Sequence, residues 1–136
     1  MRRVALTVGG MLAVAAGYAA LAASATGLEA YRWSKRVLVL QVQRFDQVSL
    51  SQQKHILRAD EAGIKSRDMV VFAVTRDAVS GIIGKAPSRP PNLRTGSAGT
   101  GRGFEAVLVG KDGTVKAHWE RPVSLEALFA AANKDR

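Results

Sequence analysis

The chain has 136 residues, 47% of them apolar, and a formal charge of +9 from 20 lysines and arginines against 11 acids. That length suits one small domain, large enough to bury a core without disulfide or metal staples. There is no cysteine, so disulfides, thiolate catalysis and cysteine-ligated zinc are excluded whatever the compartment.

Residues 1–25 stand apart from the fold. Arg2 and Arg3 precede an uncharged apolar run from Val4 to Ala22, and Ala23-Ser24-Ala25 supplies the small-x-small pattern of a secretory cleavage site. The competing reading is an uncleaved anchor, because the run approaches the ~20 residues of a spanning helix. Its Ala/Gly-rich composition and cleavage motif favour a signal peptide, leaving a mature domain over residues 26–136. The arginine pair lacks the further residues of a twin-arginine signal, so the expectation is the general secretion route to the periplasm or the medium. A basic surface favours anionic partners. The cations are nevertheless dispersed among acids except in one loop, which reads as ordinary solvation, and export disfavours nucleic acid.

From Thr26 to Arg36 the chain is mixed, and alternation would set Tyr31 and Trp33 on one face of a sheet. Val37-Leu38-Val39-Leu40 is apolar at successive positions, the pattern of a strand covered on both sides. After the polar connection Gln41 to Gln47, a helix is predicted from about Ser49 to Ala62. Ser49 and Gln52 offer a capping box, Gly63 a stop, and Leu50, Leu57 and Ile64 an apolar stripe. Met69 to Val74 is the next buried strand. Arg76 to Gly84 is predicted as a short helix carrying Val79, Ile82 and Ile83.

Lys85 to Gly103 holds three prolines and four cations without a carboxylate, which describes a long irregular loop. The stretch from Gly103 to Glu120 then reads as a hairpin. Ala106-Val107-Leu108-Val109 is a central strand, and Asp112-Gly113 are the turn centres of a two-residue connection. Val115, Ala117 and Trp119 face one way, and Lys116, His118 and Glu120 the other, as in a half-wet strand near a sheet edge. Ser124 is a good N-cap for a last helix with Leu125, Leu128, Phe129 and Ala132 on its buried face.

The predicted α/β order is β-α-β-(α)-β-β-α, whose parallel βαβ unit, hairpin and covering helix match the core topology of the thioredoxin fold. Three stretches also resemble the domain-of-unknown-function family 4174. They are Arg36-Val37-Leu38-Val39-Leu40, the segment from Ala62 to Val71, and Val107-Leu108-Val109-Gly110-Lys111-Asp112-Gly113 with Lys116. The resemblance spans about Leu28 to Asn133 and departs from the family in the Gly/Pro-rich loop between Lys85 and Gly103. That family is a cysteine-poor, thioredoxin-like group of exported bacterial and animal matrix proteins. It has no settled activity, so the resemblance implies a fold and not a reaction.

Redox members of the fold carry a cysteine pair where the first strand meets the first helix, and a proline before the third core strand. Here those places hold Gln43-Arg44-Phe45-Asp46 and Gly103. Ser51-x-x-Lys54 matches a motif of penicillin-interacting enzymes, but the chain is too short for that fold, and the pair reads as helix surface. Gly99-x-Gly101-x-Gly103, flanked by Arg94 and Arg102, runs into a strand where a phosphate loop runs into a helix. His55 and His118, the only histidines, have no ligand spacing for zinc. No catalytic residue, cofactor or metal is therefore expected. The leading expectation is a binding or adaptor module for an envelope protein or an anionic surface, with Arg89, Arg94 and Arg102 as contacts and the hairpin as docking edge. The alternatives are anionic-lipid association and a cysteine-independent enzyme using Arg44, Asp46 and Asp77 at the carboxyl end of the first strand.

Overall fold

A computed structural model describes residues 27–43, 46–76, 78–93 and 103–135. Its centre is a five-stranded sheet of β1 (Arg36–Val42), β2 (Met69–Thr75), β3 (Ala78–Ile83), β4 (Phe104–Val109) and β5 (Val115–Trp119). The strands lie in the order β3-β2-β1-β4-β5. β1 and β2 are parallel, with Val37 opposite Val70, and every other pairing is antiparallel. The continuous apolar runs fall where such runs belong, in β1, β2 and β4 at the middle of the sheet.

The two faces are covered differently. On one, Leu38, Leu40, Val71, Ala106 and Leu108 pack under α1 (Gln47–Arg58), α2 (Glu61–Ser66) and α3 (Leu125–Lys134) through Leu50, Leu57, Ile64 and Leu128. On the other, Val37, Val39, Val70, Phe72, Val107 and Val109 are covered by Leu28, Tyr31, Ala86 and Leu93, all from irregular or single-turn segments. Phe72 and Leu57 are both completely buried. The loop-covered face is therefore as dry at its centre as the helical one. Among the described residues, no helix is long and apolar enough to cross a membrane.

The structure corrects the sequence reading in several places. The segment after β2 is an antiparallel edge strand, β3. Thr75 pairs with Ala78 across a two-residue turn in which Arg76 takes φ 56°, the left-handed conformation such a turn requires. A turn opened by Arg76, without Asn-Gly or Asp-Gly, hid this hairpin. The predicted single helix is two helices. Asp46 caps α1 by accepting the Ser49 N–H at 3.2 Å, and Asp60 caps α2 by accepting the Gly63 N–H at 2.9 Å. Ser49 is thus inside the first turn of α1, and Gly63 lies inside α2.

The β4–β5 connection is longer than two residues. The Gly113 N–H bonds Gly110 O at 3.0 Å and the Gly110 N–H bonds Thr114 O at 2.8 Å. Of Asp112 and Gly113, only Gly113 takes positive φ, at 86°. A register shift follows, Val109 facing Val115 and Leu108 facing Ala117. The extra residue, Lys116, is a bulge that reverses which face its neighbours reach. Val115 packs on the loop-covered face, while Ala117 and Trp119 pack on the helical one. Strict alternation therefore misplaces Val115. Tyr31 folds onto the sheet as expected, but Trp33, at φ 68°, is 72% exposed.

Candidate functional site

The carboxyl end of β1 brings together the two places where the redox fold carries its chemistry. The Gln43 N–H donates to Gly103 O at 2.7 Å, joining the end of β1 to the start of β4. Gly103 then lies directly against the cap of α1. A Cβ at position 103 would sit 2.6 Å from Asp46 Oδ2 and 2.7 Å from Asp46 Cβ. A bare Cα is what lets β4 begin so close to the helix. The Asp46 carboxylate is used locally, as the cap of α1. Its two companions in the expected acid–arginine site, Arg44 and Asp77, lie outside the described residues.

Beside this junction, the outer side of α1 and Pro122 form an open groove of about 700 Å³, lined by Val48, Ser51, Gln52, His55, Ile56 and Pro122. Positions 48, 51, 52, 55 and 56 share one helical face. Ser51 is therefore on the helix surface, as expected, and Val48 is 68% exposed. The opposite side of α1 is tied down by Gln53, a polar residue within the buried stripe. Its Nε2 donates to Val123 O at 2.9 Å, and its Oε1 accepts the Val123 N–H at 2.7 Å. These two bonds fix α1 to the segment that leads into α3. Gln53 lies between Leu50 and Leu57 at helical spacing, a signal the sequence contained and the apolar stripe passed over.

His118 is only partly solvated, its side chain 27% exposed. Its Nδ1 lies 3.2 Å from Glu105 Oε2, across the hairpin, and Glu105 is only 8% exposed. The lone acid in the buried run of β4 was the available signal. Among the described residues, no group of three histidines and acids could hold a metal ion. Of the three arginines expected to contact anions, Arg89 is exposed on the segment after β3, and Arg94 and Arg102 lie outside the described residues.

The densest constellation is at the other end of the sheet. Arg36, which opens β1, donates from Nε to Asp135 Oδ2 at 3.0 Å, from one terminal nitrogen to Arg67 O at 2.7 Å, and from the other to Asp135 O. The Asp135 carboxylate also accepts the Lys111 N–H at 3.2 Å and stands 3.7 Å from Lys116 Nζ. Lys111 Nζ reaches Asp68 at 2.9 Å, and Lys116 Nζ reaches Asp112 at 3.0 Å. The Lys111 hydrogen bond and charge hold the Asp68 carboxyl below its usual range. For Asp112, burial pushes upward, but hydrogen bonds from Thr114 and Lys116 outweigh it and keep the carboxyl low. Both groups are therefore held as carboxylates. Arg67 stacks 3.8 Å over the Phe129 ring, which secures α3 to the same corner.

The family described as Domain of unknown function (DUF4174) matches residues 27–132. This chain belongs to that family. Among solved structures, the DUF4174 domain is similar to the crystal structure of Trgpx in apo form, with a TM-score of 0.52 and 18% identity. The match covers 85% of this chain and 94% of that one. At that identity the likeness concerns the fold alone, and the fold is thioredoxin-like. No curated protein matches the chain.

The stretches that carry the family resemblance meet in space. Arg36, Arg67, Asp68, Lys111, Asp112 and Lys116 all belong to the charged corner at the amino end of β1. In this DUF4174 domain the charged residues of those stretches are thus at the opposite end of β1 from the Asp46–Gly103 junction. Their visible work is to hold α3, the hairpin turn and β1 together.

Proposed function

We propose that this DUF4174 domain is an exported, non-catalytic binding module that acts in the periplasm or cell envelope. The observation that carries the reading is the junction at the carboxyl end of β1. Redox members of the fold keep their thiols and proline there, whereas this chain has no cysteine and fills the place with a helix cap packed against Gly103. Among the described residues the domain offers its two edge strands, the groove along α1 and the exposed Arg89, and the sequence adds Arg94 and Arg102 to the same basic stretch. Export rests on the charged, apolar and small-residue succession of residues 1–25.

Expression of the full chain followed by fractionation and N-terminal sequencing tests the location. The expected product is soluble in the periplasmic or secreted fraction and begins at about residue 26. Recovery of residues 1–25 intact in the membrane fraction overturns export by cleavage. Affinity capture from an envelope extract tests the role. A specific partner should be enriched, and charge reversal at Arg89, Arg94 and Arg102 should weaken its capture. Failure to enrich any partner, with no response to charge reversal, overturns the binding reading.

A further inference from the structure

The two edges of the sheet differ in how well they are guarded. β5 carries Lys116 at a bulge, with its ammonium engaged by Asp112 and Asp135, and His118 paired with Glu105. Charge and bulging of this kind are the usual protection of an edge strand. β3, Ala78-Val79-Ser80-Gly81-Ile82-Ile83, has no charged residue and no proline. Val79 and Ile82 anchor it to the two opposite faces of the sheet, while Ala78, Ser80 and Gly81 are exposed.

Its register says which backbone groups point outward. Thr75 and Ala78 close a two-residue hairpin, and Ala73 faces Ser80. In such a hairpin the closing pair and every second pair exchange hydrogen bonds. The N–H and C=O groups of Ala78 and Ser80 therefore turn to β2, and those of Val79 and Gly81 turn away from it. Among the described residues, no hydrogen bond from another element reaches the outward groups of β3.

We infer that β3 is a docking edge that takes an extended, acid-flanked segment of a partner protein as a sixth strand. This rests on the binding reading above and names the kind of partner. The choice of occupant comes from charge. Arg76 and Lys85 stand just beyond the two ends of β3, and both are exposed. From Arg76 to Gly103 the chain has Arg76, Lys85, Arg89, Arg94 and Arg102 against the single carboxylate of Asp77. A strand with carboxylates at its ends meets cations at both ends of this edge. A second copy of β3 does not: antiparallel self-pairing that sets the outward residues Val79 and Gly81 opposite each other brings Arg76 of one copy against Gly84 and next to Lys85 of the other, so like charges crowd at both ends. Backbone bonding supplies the affinity, and the flanking charges supply the selection.

The test uses the full mature chain, labelled for amide NMR, and three synthetic peptides. One alternates threonine and valine between terminal glutamates, one has lysines at the ends instead, and one is a scrambled glutamate version containing proline. The glutamate-ended peptide should saturate shifts centred on the Val79 and Gly81 amides and slow their hydrogen exchange. The other two should bind at least about tenfold more weakly. Gly81→Pro removes an outward donor on an edge that tolerates proline, and the double variant Arg76→Glu, Lys85→Glu reverses the flanks. Each should abolish or weaken binding by about tenfold while leaving the remaining spectrum in place.

Equal binding of the lysine-ended peptide, shifts centred on Lys116 and Ala117 of β5, or no shifts at β3 would overturn the inference. So would concentration-dependent shifts of Val79 and Gly81 without peptide, which would make a second copy the occupant. Gly81→Pro also separates this inference from the broader one. A variant that still captures its envelope partner removes β3 as the site and leaves the binding module standing.

Discussion

At the carboxyl end of β1 the chain closes through a steric fit, the bare Cα of Gly103 set against the carboxylate that caps α1. At the amino end it closes through charge, with Arg36, Lys111 and Lys116 gathered around Asp135. The first kind of closure tolerates no added atom and depends on shape. The second tolerates changes of size but depends on every partner staying ionised. In a thioredoxin-like fold the carboxyl end is where reactive groups are presented. Here it is a packed joint, and the charged residues of the family-like stretches serve the joint at the other end.

The largest expected effect is at the charged end. Arg36 and Asp135 have side-chain exposures of 13% and 9%, so removing Arg36 leaves a nearly buried Asp135 with only the Lys111 N–H and the more distant Lys116 ammonium to offset its charge. Arg36→Met should lower unfolding free energy by about 3 kcal/mol, near the lower end for breaking a buried pair. The double variant Arg36→Met, Asp135→Leu should recover much of that loss, since apolar replacement of a buried pair is often close to neutral. Chemical denaturation of the two variants checks this. Equal loss in both would mean that packing of the Arg36 stem, and not charge, closes this end.

Next comes the steric end. Gly103→Ala must push Asp46 aside or bend the start of β4, at a cost of about 2 kcal/mol. Asp46→Ala alone should cost about 1 kcal/mol through loss of the cap. Combining Gly103→Ala with Asp46→Gly should cost less than the sum of those two single changes, because glycine at 46 removes both the Cβ and the carboxylate that the new Cβ would meet. Strict additivity in urea unfolding would show that Gly103 is required for some reason other than its contact with Asp46.

Comparison of the ends also shows what could be read from the chain. The buried runs of β1, β2 and β4 were legible because central strands must be apolar on both faces, and α3 was legible from Ser124 and its stripe. Three things were not. β3 is a short edge strand with few side chains to bury and a hairpin turn lacking the usual glycine. The bulge at Lys116 breaks the period of two on which facing was judged. Asp46, unlike Ser49, looks like part of a polar connection until Gly103, far away in sequence, is placed against it. The charged corner was visible only as scattered family-like stretches. Its partner Asp135 comes from beyond the end of the last helix, where no local pattern points back to Arg36.

The two ends should separate on acidification. Asp112 has its carboxyl held low in the folded state. Its contribution is therefore fully present above the unfolded value of 3.8 and is lost as pH falls through the lower folded value. Asp112→Asn should flatten the acid limb of a plot of Tm against pH below about pH 4. Gly103→Ala should shift the whole curve down without changing that limb. A steeper acid limb in Asp112→Asn would contradict the sign.

The smallest effect is expected from Asp68. Its bond to Lys111 holds its carboxyl low, but its side chain is 50% exposed, so solvent and salt screen the pair. Its backbone matters more than its charge. Asp68 takes φ 54°, in the left-handed region that asparagine also enters readily. Asp68→Asn should therefore lower Tm only slightly at low ionic strength and not at all in 1 M salt, whereas Asp68→Val should lower it at any salt concentration. If asparagine and valine behave alike, the backbone argument fails and the charge of Asp68 is what this corner needs.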